Sequence, residues 1–208
     1  MIYILGAGGF AREVLNIIID LGREEDVLGF VEQHSVREGE VLNDKKVYDE
    51  KVLDFAPSGT KLTGAIGSPK RRIWIEQLEQ KGFEFETLIH PTVVKSRWVK
   101  IGRGSILCAG NVLTNNIEIG NHTIINLGCT VGHDVRMGNY VTVSPGVDIS
   151  GNVTIEDGVW VGIGSTLIEK TKVGKGSYLG AGACVTKDIP PGVLAVGIPA
   201  VVKKSIED

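Results

Sequence analysis

Of the four histidines in the chain, His34, His90, His122 and His133, one has a neighbour that equips it for proton transfer. His133 is followed by Asp134. An accessible imidazole can take a proton near neutral pH, and a carboxylate beside it can fix its tautomer. Such a pair suits the deprotonation of a nucleophile as it attacks an electrophilic carbon. Eighteen residues further on stands Gly151, whose backbone N–H can stabilise negative charge growing on a carbonyl oxygen. A tight corner is the structural alternative at Gly151, and turn-forming residues are the alternative for His133 and Asp134. His34 lies in a polar loop, and His90 precedes Pro91 where it can hold a linker.

A second candidate lies at the start of the chain. Ile2 to Leu5 is a short apolar run that leads into Gly6-Ala7-Gly8-Gly9-Phe10-Ala11 and then into an amphipathic stretch ended by Gly22. Gly6, Gly8 and Ala11 match a Gly-x-Gly-x-x-Gly/Ala turn between strand and helix, where backbone N–H groups can approach a phosphate. Val27–Glu32 and Lys61–Gly67 read as further strands and Arg71–Lys81 as a helix. Glu32 or Gln33, at the end of the second strand, can accept hydrogen bonds from a base or a ribose. About 88 residues leave no space for the second half of a dinucleotide site. Redox use of NAD is therefore not expected, which leaves one phosphate-bearing ligand or a purely structural glycine turn.

The elements that position His133 follow from a repeat. From Ile101 to Val185 every sixth residue is apolar, and three residues after these anchors comes Gly, Asn or Asp in 12 of 15 units. Those types tolerate positive φ, so each unit reads as one short strand and one corner, with the anchor and the residue two before it facing inward. A helix would place apolar residues three to four apart and would not carry turn residues in most turns. A period this short marks a solenoid, in which each unit buries its face on the next. His133 then sits at a corner two after its anchor and projects outward, while His122 falls in the left-handed turn slot. The corners equivalent to His133 in adjacent coils are Asn115 and Gly151, and Gly138 stands five residues on, so three imidazoles do not converge and no metal is expected.

Composition narrows the class. A net charge of −3 over 208 residues supplies no basic field for nucleic acid or an anionic membrane. Cys108, Cys129 and Cys184 are odd in number and widely spaced, which reads as reduced thiols in a cytoplasmic protein. The opening segment has no basic stretch or cleavage-site pattern, and no apolar run approaches membrane-spanning length.

The repeats resemble those of hexapeptide acyltransferases, which fold as left-handed parallel β-helices with three hexapeptides per triangular coil. Together with Gly6-Ala7-Gly8-Gly9, Ile66-Gly67-Ser68, Ile89-His90-Pro91 and Val196-Gly197-Ile198-Pro199-Ala200, they make nearly the whole chain similar to the sugar acetyltransferases that include the bacillosamine N-acetyltransferase and sialic-acid O-acetyltransferase-like proteins. The resemblance implies a small Rossmann-like α/β domain over residues 1–88 and a β-helix domain with a closing segment over 89–208. It implies acetyl-CoA as co-substrate, a nucleotide-activated amino sugar as acceptor, and a homotrimer with active sites between subunits.

Its site residues carry over as His133 for the base, Asp134 for its orienter and Gly151 for the acetyl contact. Thr142, Ile163, Gly180 and Ala181 fall to CoA; Gly6, Gly8, Gly9, Phe10, Glu32, Gln33, Gly67, Ser68 and Asn126 fall to the acceptor. Two positions depart from the family pattern: Phe10 stands where many members have His, and Thr142 where the bacillosamine enzyme has a second histidine. The reaction implied is acetyl transfer to the 4-amino group of a nucleotide-linked 4-amino-4,6-dideoxy sugar. O-acetylation of a sugar or sialic-acid hydroxyl, and a non-catalytic trimeric nucleotide-binding scaffold, remain as alternatives.

Overall fold

A computed structural model describes residues 1–34 and 37–206, which form two compact units. The first comprises Met1–Gly67 and Arg71–Pro91; the second comprises Ser68–Lys70 and the chain from Thr92 onward.

The first unit runs β1 (Ile2–Leu5), α1 (Gly9–Asp20), β2 (Val27–Glu32), β3 (Val41–Leu42), β4 (Lys45–Asp49), β5 (Lys61–Gly64), α2 (Arg72–Gln80) and β6 (Glu84–Phe85). Its sheet has the order β3-β4-β2-β1-β5-β6, parallel throughout except for the β3–β4 hairpin. All of β1 is buried, as a parallel strand covered on both faces must be. Helix α1 buries Ala11, Val14, Leu15, Ile17 and Ile18, the stripe expected of a 3.6-residue period. It ends at Gly22, whose φ of 72° allows Arg23 N–H to reach Ile18 O and Gly22 N–H to reach Ile19 O. The chain leaves β1 toward β2 on one side, and β5 lies on the other. That reversal opens a crevice at the carboxyl end of β1, where the glycine turn lies.

In the second unit two-residue strands recur every six residues from Val94–Lys95 to Cys184–Val185. As far as Thr166–Leu167 each pairs in parallel with the strand eighteen residues on, as in Ile124↔Thr142 and Val131↔Ile149, so three strands make one coil and three flat sheets line the helix. The anchors from Leu107 to Val185 are buried, as are the residues two before them. Where an inner residue carries a hydroxyl it is answered: Ser105 Oγ donates to Gly120 O at 2.9 Å and Thr123 Oγ1 to Gly138 O at 2.9 Å. Every turn slot from Gly104 to Gly182 has positive φ, including those held by His122, Tyr140 and Lys170. The fold therefore imposes that conformation even where the residue type resists it. His122 and Tyr140, one coil apart, compensate by stacking with ring centroids 5.1 Å apart.

The last coil is closed by Val193–Val196, parallel to Tyr178–Leu179, and by Val201–Ser205, which folds back antiparallel. Among the described residues no helix is long and apolar enough to cross a membrane.

Candidate active site

The residue two after each anchor lies at a corner, and such corners stack into three edges of different chemistry. Arg103, Asn121, Asn139, Asp157 and Lys175 form a polar edge. Ala109, Leu127, Pro145, Ile163 and Ala181 form an apolar edge, on which Leu127 and Ile163 are exposed. The third edge carries Asn115, His133, Gly151 and Glu169.

On this third edge the His133 Nδ1 lies 2.8 Å from Asp134 Oδ2. Asp134 has φ 60°, and this left-handed corner turns its carboxylate back toward the preceding ring. With Nδ1–H donating to Asp134, Nε2 is left as the basic nitrogen, in a side chain that is 62% exposed. The hydrogen bond from His133, followed by one from Asn116 Nδ2 at 3.3 Å, holds the Asp134 carboxyl below its ordinary value. Gly151 lies directly against the ring, since a Cβ there would stand 2.6 Å from His133 Cε1 and 2.7 Å from Nε2. Gly151 N–H makes no hydrogen bond among the described residues. The edge thus brings together an accessible imidazole, a carboxylate bound to its Nδ1 and a backbone N–H with no hydrogen bond among the described residues.

The first unit contains a cleft of about 670 Å³ at the carboxyl end of β1. Gly6, Gly8, Gly9, Phe10, Glu32, Gln33 and Gly67 all line it. Gly6 has φ 98° and sits against Ile66 and Ala65, whereas a Cβ at Gly8 or Gly9 would meet open space. Helix α1 starts at the cleft with no acidic residue in its first turn, so its positive end faces the cleft without a competing carboxylate of its own. Arg37 and Trp74 also line the cleft and carry no motif in the sequence that would single them out. Arg37 reaches back to the glycine turn, with Nη2 donating to Ala7 O at 3.1 Å and Nε to Glu32 Oε2 at 3.2 Å. Ser68 is not among the lining residues; its hydroxyl accepts from Lys70 N–H at 3.3 Å.

The remaining residues of interest are not brought to His133 within one chain. Ile163 and Ala181 lie at the apolar edge, and Asn126 and Gly180 sit at the corners beside it. Thr142 belongs to a strand of the sheet before that edge and is 3% exposed, so its hydroxyl is covered. His90, in the first unit, is nearly buried and pairs with Asp20 at 2.9 Å, which accounts for it structurally. No group of three His, Cys, Asp or Glu residues able to hold a metal occurs among the described residues.

The repeats define the class, and comparison with known proteins gives the family. Residues 1–78 match the model of the PglD N-terminal domain, and residues 152–187 match bacterial transferase hexapeptide (six repeats). Among solved structures, WeeI from Acinetobacter baumannii is 32% identical, with a TM-score of 0.88 over 98% of this chain and 99% of that one. The acetyltransferase domain of PglB from Neisseria gonorrhoeae, solved with acetyl coenzyme A, is 31% identical, with a TM-score of 0.88 over 97% and 98%. PerB from Caulobacter crescentus, solved with CoA and GDP-perosamine, is 30% identical, with a TM-score of 0.90 over 98% and 97%. No curated protein sequence matches. The chain belongs to the hexapeptide-repeat sugar acetyltransferases, the family of the bacillosamine N-acetyltransferase and its sialic-acid O-acetyltransferase-like relatives, and its β-helix is the left-handed one of that fold.

Proposed function

We propose that the protein transfers acetyl from acetyl-CoA to the 4-amino group of a nucleotide-linked 4-amino-4,6-dideoxy sugar, with His133 as general base. The observation that carries this reading is the cluster of His133, Asp134 and Gly151 on one edge. The amine nitrogen attacks the thioester carbonyl carbon and His133 Nε2 takes its proton. Asp134 holds the imidazole through Nδ1, and Gly151 N–H receives the oxyanion. The C–S bond then breaks, and the imidazolium returns a proton to the departing thiolate of CoA.

The glycine turn, the N-terminus of α1 and the Glu32–Gln33 end of β2 hold the phosphates and nucleoside of the acceptor, with Phe10 and Gly67 as walls. Ile163, Gly180 and Ala181 line the path of CoA, and Asn126 faces the sugar. Thr142, being buried, stays outside the contact set. Because the CoA residues and His133 occupy different edges, the reading requires a second subunit to complete each site, which a homotrimer with faces packed against one another supplies. Structures of the Caulobacter perosamine N-acetyltransferase with CoA and GDP-perosamine, at 28–30% identity, support an amine rather than a hydroxyl as acceptor.

The test is incubation with acetyl-CoA and a panel of GDP-, UDP- and dTDP-linked 4-amino sugars beside free sialic acid, following thiol release and product mass. Acetylated amino sugar is the expected product. Acetylation of sialic acid alone would move the assignment to O-acetyl transfer, and a monodisperse monomer in solution would contradict the shared site.

A further inference from the structure

The carboxylate behind His133 is itself held from the preceding coil. Asn116, Asp134 and Asn152 occupy the same left-handed slot on three successive coils, with φ of 55°, 60° and 59°. Asn116 Nδ2 donates to Asp134 Oδ1, while the other oxygen, Oδ2, meets His133 Nδ1. The two carboxylate oxygens are thus divided between two partners, and rotation of the carboxylate away from the ring would break both bonds. The charged groups around Asp134 are Arg136 and Glu118, which line the same shallow hollow, together with Lys100, which pairs with Glu118 at 3.0 Å. None of these cations approaches Asp134 closely enough to form an ion pair among the described residues, so the amide of Asn116 is its second holder.

We infer that Asn116 is a positioning residue for catalysis, acting through Asp134 to keep the His133 ring aligned. The inference rests on the proposed role of His133. Its structural alternative is that Asn116 serves only as a turn residue able to adopt positive φ, and two substitutions separate the cases. Asn116→Gly keeps the backbone freedom and removes the amide. Asn116→Asp also tolerates the left-handed slot but replaces the donor by a second carboxylate facing Asp134.

The experiment measures kcat, KM for acetyl-CoA, and the acid limb of the pH–rate profile for wild type, N116G and N116D. The titration midpoint of the His133 ring is followed by NMR in the same proteins. A positioning role predicts that N116G lowers kcat by about 3- to 10-fold with KM for acetyl-CoA unchanged. It predicts that N116D moves both the acid limb and the NMR midpoint to higher pH by roughly 0.3–0.5 unit, because added negative charge favours the imidazolium. Wild-type kcat in N116G with an unmoved midpoint in N116D would overturn it. If the NMR midpoint moves but no acetyl transfer occurs in wild type, the relay stands and the proposed reaction fails.

Discussion

Two edges of the β-helix share one backbone and differ in what answers their corner N–H groups. At the polar edge the first three are each met by a side chain from the next coil: Arg103 N–H by Asn121 Oδ1 at 3.0 Å, Asn121 N–H by Asn139 Oδ1 at 2.8 Å, and Asn139 N–H by Asp157 Oδ1 at 2.7 Å. At the edge of His133 the equivalent residue of the next coil is Gly151, which has no side chain to offer. The His133 and Gly151 N–H groups make no hydrogen bond among the described residues. The first arrangement is a closed ladder that stabilises the stack. The second leaves donors free and opens the space that the imidazole fills. On the proposed reading, function is written into the helix as a gap in a repeating structural device.

Several substitutions would break or sharpen that contrast. The largest effect is expected from His133→Ala, which removes the proposed base and should lower kcat by about 10²–10⁴-fold while the protein stays folded. Gly151→Asn would copy the ladder onto the edge of His133. Its amide oxygen can answer the His133 N–H, but its Cβ must displace the ring, so turnover should fall by about 10- to 100-fold with the melting temperature held or raised. In the cleft of the first unit, Arg37→Ala removes the guanidinium that joins the glycine turn to Glu32; KM for the nucleotide sugar should rise by about 3- to 10-fold, with kcat little changed.

The smallest effect concerns acid stability. Asp134 has a pKa lowered from 3.8 by His133 and Asn116, so its contribution to folding is complete above that ordinary value and is lost as pH falls through the lower native one. An acid-unfolding titration of Asp134→Asn should therefore differ slightly from wild type above that window, converge on it through the window and match it below.

Much of this was legible in the sequence because the repeat is strict. The inner face and the turn slot follow from residue type at a fixed period, and β1, α1 and β2 follow from apolar runs bounded by glycines. The first strand, Val94–Lys95, lies before the apolar anchors begin, because its inward register position is held by Lys95, which is exposed at the open end of the stack. Nor did residue type distinguish the edges. Asn121 and Asn139 look like any other turn residues until the eighteen-residue coil places each above the next. Arg37 is not legible because a single arginine in a polar stretch has no spacing that marks it. The separation of Ile163 and Ala181 from His133 is likewise a property of the coil, since neither lies a whole number of eighteen-residue turns from His133, whereas the two lie one such turn apart.

The central claim is that one edge carries chemistry and the other stability. The most direct test is a crossed measurement of kcat and melting temperature on Gly151→Ala and Asn139→Ala. In Gly151→Ala the backbone is undisturbed but the new Cβ would stand 2.6 Å from His133 Cε1, and the exposed ring can swing aside; the account predicts a loss of about 10- to 100-fold in kcat with the melting temperature nearly unchanged. In Asn139→Ala the bonds to Asn121 N–H and Asp157 are lost; the account predicts a cost of about 1–2 kcal/mol, a melting temperature lower by roughly 2–8 °C, and unchanged kcat. Parallel losses of activity and stability in both variants would contradict it.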